Sequence, residues 1–323
     1  METKTNGKKT NLAALYGKYG IFAILLLIIL FSCLFVRGFA TGNNITNITR
    51  QIAVVTILAL GATFVITLGH TNVSYGSCIA LIGCVSCAVM VSTNNVFLAV
   101  LAALLLGLLI GIINGLIITR FKIPAFIMTL AITTVARGAA LLFTNGTPVT
   151  GMGQAFLEIG QGYVGPIPIS LIIMLLLFGI SWMILNKTTF GRHIYAVGGN
   201  ENAALASGIN SVWVQRKAFM IDGLMTAVAA VVWVSRMNSG QPGQGIGYEF
   251  DAITAVVVGG TSLAGGSGSV VGTVAGALLV GIINNVQNLM NVNTYWQQIV
   301  KGLIILAAVV IDVVTKEASR KRT

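Results

Sequence analysis

Long apolar runs alternate with short polar connections along the whole chain. A membrane-spanning helix needs about 20 predominantly apolar residues. Seven runs are of this kind: 20–37, 51–69, 96–119, 123–144, 169–186, 216–235 and 297–315. Three further runs are weaker and richer in Gly: 75–92, 250–265 and 268–286. The pattern predicts an all-α, polytopic helical membrane protein with about ten transmembrane segments.

One of the weaker runs contains the Gly-rich stretch VVVGGTSLAGGSG, residues 256–268. Irregular backbone at membrane depth is tolerated only where it is buried in protein or lines a watery cavity. Glycine permits positive φ angles and close backbone approach. We therefore expect a broken or re-entrant element near the solute path. Its candidate hinge and packing residues are Gly259, Gly260, Gly265 and Gly266.

Composition excludes several classes of protein. Hydrophobic residues make up 56% of the chain and charged residues only 8%, against about 25% charged residues in soluble domains. This excludes a soluble enzyme, a disordered chain and a nucleic-acid-binding module. The sequence has no Gly-rich phosphate loop ending in Lys-Ser/Thr, and His70 and His193 are isolated from Cys and carboxylate clusters. We predict no catalytic residue, no bound cofactor and no metal.

Basic residues are clustered beside the apolar runs. Fourteen of the 19 Lys and Arg lie within 4–18, 120–122, 187–217 and 316–322. Clusters of this kind mark cytoplasmic segments by the positive-inside rule. We expect both termini to be cytoplasmic, which requires an even number of crossings. Tails at 1–19 and 316–323 then flank one membrane domain, 20–315, whose loop at about 187–217 is also cytoplasmic.

That cytoplasmic loop contains a short predicted helix. Gly198-Gly199-Asn200-Glu201 predicts a turn, Asn200 suits the N-cap of a helix, and Gly208 suits its end. So short a helix is marginal alone in water, and its small Ala side chains would let a partner approach. The alternative is a plain connecting loop. The candidate partner-contacting residues are Gly198, Gly199, Asn200, Glu201, Ala203, Ala204 and Gly208.

Acidic residues are scarce within the spans. Asp222 alone falls well inside one, whereas ion-driven carriers tend to keep intramembrane carboxylates as proton or cation sites. This favours energy supplied by a partner protein. The alternatives are an ion-coupled secondary carrier and a passive channel for a small polar solute.

Polar side chains inside apolar runs are candidates for the translocation path. A buried polar group is costly unless it is hydrogen-bonded, so such groups face protein or water. The alternative for each residue is a hydrogen bond between helices. The candidates are Asn72, Ser74, Asn114, Thr129, Asn145, Asn284 and Asn285.

Four motifs occur in an order that resembles a known family. They are NGLIITRFKIP at 114–124, TNGTPV at 144–149, FGRHIYAVGGNENAALASGIN at 190–210, and YEFDAI at 248–253 running into the Gly-rich stretch. Together they resemble the ribose-type permease family of ABC importers, over residues 20–315. One departure lies at 69–76, GHTNVSYG, where Asn72 occupies the family's usual Asp position. That change is either neutral or alters the path or a partner contact.

The resemblance implies a transport subunit without its own ATPase site, in the bacterial cytoplasmic membrane. Two permease subunits, identical or paralogous, would form the path. ATP and Mg would be bound by partner ATP-binding subunits, which contact the 187–217 loop, and an extracytoplasmic solute-binding protein would deliver the solute. The implied solute is a monosaccharide such as ribose or a related pentose or hexose.

Overall fold

The computed structural model describes residues 6–320, with side chains from 20 to 310. The described part contains thirteen helices and two very short strands. They are α1 (Asn6–Phe35), α2 (Gly42–Thr67), α3 (Tyr75–Thr93), α4 (Val96–Phe121), α5 (Ala125–Thr144), α6 (Gln154–Gln161), β1 (Tyr163–Val164), β2 (Ile167–Pro168), α7 (Ile169–Lys187), α8 (Thr189–Gly199), α9 (Glu201–Ala206), α10 (Ser211–Met237), α11 (Tyr248–Val258), α12 (Val270–Leu289) and α13 (Thr294–Arg320).

The predicted all-α class is confirmed, apart from the antiparallel pair β1–β2. Seven helices are long and apolar enough to cross a membrane: α2, α3, α4, α5, α7, α10 and α12. Two shorter apolar helical stretches, Gly20–Phe35 and Thr294–Val310, belong to α1 and α13. The weaker predicted spans at 75–92 and 268–286 therefore form long helices. The 250–265 span does not, because α11 ends at Val258 and the Gly-rich residues after it are not helical.

Helices α2 and α10 form the centre of the bundle. In each of them 78% of the most apolar 18-residue stretch is buried, against 22% in α4, α5 and α7. The outer helices turn Leu, Ile and Phe side chains outwards, among them Leu105, Phe126 and Leu176. A contiguous apolar exterior of this kind suits a lipid environment.

Glycines allow α4 to pack directly on α10. Gly107, Gly111 and Gly115 follow one another at four-residue intervals on the face of α4 that meets α10. A Cβ at Gly107 would overlap the Gly223 carbonyl, and a Cβ at Gly223 would overlap the Gly107 carbonyl. Small residues at this spacing let helix backbones approach closely in membranes. The face of α10 that meets α4 carries Phe219 and Gly223, and the neighbouring Asp222 lies against Gly61 of α2.

Two non-helical breaks interrupt the bundle and meet each other. The first, residues 68–74, joins α2 to α3, and the second, residues 259–269, joins α11 to α12. The Gly266 amide donates a hydrogen bond of 2.9 Å to the Thr67 carbonyl at the end of α2. Both breaks therefore meet at the end of α2.

Candidate functional site

The segment α8–α9 forms two short helices joined at Asn200. The Asn200 side chain accepts a hydrogen bond of 3.0 Å from the Ala203 amide, so its predicted role as an N-cap is confirmed. Gly208 adopts a φ of +81° just after α9, the left-handed conformation expected where a helix ends. One detail differs from the sequence expectation. Gly198 and Gly199 are the last residues of α8 and not a turn.

A close backbone contact explains why position 198 is Gly. A Cβ there would overlap the Thr67 carbonyl oxygen and lie 2.8 Å from the Gly266 nitrogen. Gly265 completes the contact, since its own Cβ would lie 2.7 Å from the Gly198 carbonyl oxygen. The predicted coupling segment and the predicted Gly-rich hinge, treated separately in the sequence, therefore lie against one another and against the end of α2.

Position 199 has room for a side chain, since the nearest atom to a Cβ there would be the Gly266 Cα at 3.9 Å, although the Gly199 backbone itself lies 2.7 Å from where a Cβ at Gly266 would be. Tyr195 of α8 adds a side-chain contact by donating a hydrogen bond of 3.1 Å to the Gly268 carbonyl. Burial raises the pKa of Tyr195 above its ordinary value, so its hydroxyl remains a proton donor at neutral pH.

The two faces of α9 have different roles. Ala204 is only 4% exposed and packs against α8 and α10 in an apolar cluster with Val214 and Ala218. Its side chain therefore faces this chain and not a partner, contrary to the sequence expectation. The outward face carries Ala203 and Leu205, and Leu205 is 50% exposed.

A hydrogen-bond chain connects α9 to the first break through α10. The Gln215 amide nitrogen donates 2.9 Å to the Glu201 carboxylate, and its oxygen lies 3.2 Å from His70 Nε2. Since a carboxylate only accepts, the amide nitrogen must face Glu201, and the amide oxygen then accepts from His70. Burial is the largest influence on the pKa of His70 and lowers it, while Gln215 and Glu201 act in the opposite direction.

Deeper in the bundle, polar side chains gather around Asp222 of α10. Asn72 Nδ2 donates 2.7 Å to Asp222 Oδ2, and the Tyr75 hydroxyl donates 2.8 Å to Oδ1. Ser74 joins the cluster by donating from its amide and its hydroxyl to Asn72 Oδ1, at 2.9 and 2.7 Å. Asn72, Ser74 and Asp222 are all buried.

Asn114 of α4 lies beside this cluster. It lines a cavity of about 10 Å³ together with Asn72, Ser74, Asp222 and Thr226. The Asn114 side-chain oxygen is buried without a hydrogen-bond partner among the described residues. Thr129 of α5 lies next to the same break, where its Oγ1 accepts 3.2 Å from the Val73 amide. Four predicted path residues, Asn72, Ser74, Asn114 and Thr129, are thus brought to one region.

The other three predicted path residues lie elsewhere. Asn145 is exposed and ends α5 with a φ of +50°. Asn284 is 3.4 Å from Asp251 Oδ2, and Asp251 also forms an ion pair of 3.0 Å with Lys301. Asn285 exchanges hydrogen bonds of 3.1 and 2.9 Å with Asn44. The two α12 residues therefore tie helices together.

The hinge glycines make two separate close contacts. A Cβ at Gly259 would lie 2.5 Å from the Gly272 carbonyl group, where α11 ends and α12 begins. Gly260, Gly265 and Gly266 adopt φ angles of +87°, +83° and +76°. Positive φ is accessible to Gly at little steric cost, so these residues form the turns of the break.

Four residues of this region were not among the predicted site residues: Asp222, Tyr75, Gln215 and His70. Asp222 carried a signal, because it is the one acidic residue well inside a predicted span. The other three have ordinary sequence contexts, and only the tertiary contacts connect them.

Known proteins resemble the chain over nearly its whole length. The family model described as "Branched-chain amino acid transport system / permease component" matches residues 44–309. The ribose import permease protein RbsC of Bacillus subtilis (strain 168) is 43% identical over 313 residues, covering 96% of this chain and 97% of the relative. RbsC of Escherichia coli (strain K12) is 42% identical, covering 93% and 94%. The L-arabinose transport system permease protein AraH of Escherichia coli (strain K12) is 38% identical, covering 95% and 93%. No solved structure matches the chain.

These matches confirm the resemblance found in the motifs, and they confirm that the chain is a transport component and not an enzyme. The helices long enough to span a membrane agree with a multi-pass membrane protein. The chain is a permease subunit of an ABC importer and belongs to the branched-chain amino acid transport system / permease component family.

Proposed function

We propose that this permease forms the translocation path of an ATP-driven importer of a pentose, with ribose as the first candidate, and that α8–α9 couples the path to the ATP-binding subunit. Relatives named for ribose and L-arabinose import support the solute class. The observation that carries the coupling role is the contact of Gly198 with Thr67 and Gly266. Because these backbones touch, displacement of α8 must displace both breaks.

The proposed topology has ten crossings. Nine are the seven long helices together with α1 and α13. The tenth is made by the non-helical residues 239–247 followed by the short α11. Arg137 of α5 supports the non-helical part by donating to the carbonyls of Pro242 and Gln244 at 2.5 and 2.6 Å. With an even number of crossings, both termini lie on the side of the basic 187–217 loop, which the positive-inside rule assigns to the cytoplasm of a bacterial inner membrane.

The proposed assembly pairs this chain with a second permease subunit, identical or paralogous. ATP and Mg are bound by ATP-binding subunits below it, and a solute-binding protein docks on the opposite side. The outward face of α9, with Ala203 and Leu205, contacts the ATP-binding subunit. Asn200, Glu201 and Gly208 hold α9 in position for that contact, through the cap, the Gln215 hydrogen bond and the left-handed end of the helix.

The proposed polar part of the path is the region of Asn72, Ser74, Asn114 and Thr129. The unpartnered Asn114 oxygen supports this assignment, because a buried polar atom without a protein partner is usually satisfied by water or a ligand. Asn145 at the end of α5 would lie at the outer end of the path. For Asn284 and Asn285, the hydrogen bonds to Asp251 and Asn44 favour a packing role.

The coupling role is tested with Leu205→Glu, which changes an exposed side chain of α9 without affecting the core. We expect loss of assembly with the ATP-binding subunit, measured by co-purification, while the permease itself still inserts. The matched control is Lys122→Glu, an exposed residue in the α4–α5 connection. Wild-type assembly and uptake in Leu205→Glu would contradict the assignment of α9 to this contact.

The solute is tested by thermal unfolding of the cognate binding protein in the presence of a panel of sugars and branched-chain amino acids. A sugar present at 100 times its Kd adds about 2.7 kcal/mol to the stability of the protein that binds it. We expect the largest shift with ribose. A shift confined to branched-chain amino acids would contradict the pentose assignment.

A further inference from the structure

Asp222 is an acidic residue at the centre of the bundle, and no cationic side chain among residues 20–310 pairs with it. It is 1% exposed and lies on α10, the helix that packs against α2, α3 and α4. Among the described side chains, the ion pair that forms is between Lys301 and Asp251, not at Asp222. A buried carboxylate is costly unless its oxygens are hydrogen-bonded. At Asp222 two donors, Asn72 and Tyr75, provide those bonds.

The orientation of the Asn72 amide is determined by its neighbours. Its oxygen accepts from the Ser74 amide and the Ser74 hydroxyl, so its nitrogen is directed to Asp222. Asn72 thus acts as a donor towards α10 and as an acceptor towards the start of α3. The pair requires one amide and one carboxylate, and none of the hydrogen bonds of this cluster requires the carboxylate to be on α10.

The break at 68–74 is attached to α10 at two points. His70 contacts Gln215 and Asn72 contacts Asp222. Gln215 and Asp222 are seven residues apart, which is two helical turns, so they lie on the same face of α10. Gln215 also binds Glu201 of α9. Movement of α9 can therefore reach the break through α10 as well as through the contact of Gly198 with Thr67.

We propose that Asp222 is a positioning residue that provides, from α10, the carboxylate which the motif resemblance predicts at position 72. The Asp222 carboxylate lies across a 2.7 Å hydrogen bond from the Asn72 amide. Asp222 ties the break to α10, so that the polar path residues Asn72 and Ser74 follow the motion of the coupling segment. This inference rests on the proposed transport function, because one of its two measurements is the uptake of ribose.

The test is a cycle of three variants: Asp222→Asn, Asn72→Asp and the exchanged double variant. In Asp222→Asn the amide offers one accepting oxygen to two donors. If that oxygen faces Asn72, its nitrogen donates to the Tyr75 hydroxyl and the tyrosine proton loses its acceptor; if it faces Tyr75, two amide nitrogens meet. Asn72→Asp places two carboxylates at hydrogen-bond distance, where they repel each other. In each single variant we expect uptake to fall about tenfold or more, since a buried polar group loses its partner.

The double variant restores every hydrogen bond of the cluster. The amide at 222 can accept from Tyr75 and donate to the carboxylate at 72, which still accepts both bonds from Ser74. We expect its uptake to return to within about twofold of wild type, since the bonds lost in the single variants are made again. If Asp222 were required for a reason independent of residue 72, the double variant would show no such recovery.

Uptake of labelled ribose by the complete transporter is measured together with the thermal unfolding midpoint of each permease variant. Failure of the double variant to recover either quantity above the Asp222→Asn level would overturn the proposal, as would wild-type uptake in Asp222→Asn. If the wild-type transporter takes up no ribose, the proposed function fails. In that case the unfolding midpoints of the wild type and the three variants still show whether the amide and the carboxylate can change places between positions 72 and 222.

Discussion

At the residue scale, contacts with individual backbone atoms determine which glycines of the coupling segment can be replaced by a larger residue. Gly198 and Gly199 are adjacent in α8, and no feature of the sequence distinguishes them. In the structure the first touches two other backbone segments and the second is exposed. The difference could not be predicted from the sequence, because the atoms that crowd Gly198 belong to Thr67 and Gly266, more than sixty residues away in either direction.

We expect Gly198→Ala to destabilise the α8 contact, because the added Cβ overlaps the Thr67 carbonyl. Overpacking of this kind typically costs ~1–3 kcal/mol. The matched control is Gly199→Ala, which adds the same atom where nothing lies closer than 3.9 Å. Thermal unfolding midpoints and uptake rates of the two variants should differ clearly. Equal behaviour of both would show that the backbone contact at Gly198 is not formed.

A second prediction concerns the chain Glu201–Gln215–His70. In Gln215→Glu the new carboxylate faces the Glu201 carboxylate, and the donor to Glu201 is lost. We expect reduced stimulation of the partner's ATP hydrolysis by the solute-loaded binding protein, with the affinity of that protein for its solute unchanged. Gln154→Glu, at an exposed position of α6, is the matched control. Unaltered stimulation of ATP hydrolysis in Gln215→Glu would show that the hydrogen bonds joining Glu201, Gln215 and His70 take no part in coupling.

At the element scale, two non-helical breaks are the proposed moving parts, and the continuous helices hold them in place. The break at 259–269 meets α8 through Gly265 and Gly266. The break at 68–74 packs on that break through Gly69, next to the contact of Thr67 at the end of α2 with Gly198. Irregular backbone at these points is compatible with a membrane because it is packed against protein. The elements that must move are therefore the ones that touch the coupling segment.

We expect Gly266→Val to abolish uptake while membrane insertion remains intact. Valine is strained at a φ of +76°, and its Cβ would lie 2.7 Å from the Gly199 Cα. Gly243→Val is the control, since nothing lies within 4 Å of a Cβ there and its φ is not positive. Membrane-fraction blots report insertion and labelled-sugar uptake reports transport. Normal uptake in Gly266→Val would indicate that the Gly-rich break is a surface loop without a role in transport.

Much of this element-level description could be predicted from the sequence. Hydropathy located the long helices because each must present apolar side chains over its full span, and the Asn200 cap followed from local chemistry. The inward orientation of Ala204 could not be predicted, because small side chains suit a partner contact and an internal contact equally well. The polar cluster at Asp222 was missed for a similar reason. Its hydrogen bonds join residues 150 positions apart.

At the scale of the whole molecule, the proposed function requires α8–α9, both breaks and both termini to lie on one side of the membrane. Reporter fusions after Asn200 and after Gly160 should give opposite orientations, because the first position lies in the basic loop and the second in a loop without Lys or Arg. Activity of a cytoplasmic reporter is expected only after Asn200. The same orientation at both positions would rule out the arrangement with ten crossings.

The central claim is that solute movement through this chain is driven by ATP hydrolysis on a partner and not by an ion gradient. The most direct measurement is uptake of labelled ribose into proteoliposomes that contain the complete transporter and its loaded binding protein. We expect uptake with ATP supplied to the ATP-binding subunit, none with a non-hydrolysable analogue, and no change when ionophores collapse the H⁺ and Na⁺ gradients. Uptake that persists without ATP and stops when an ion gradient is collapsed would contradict the account.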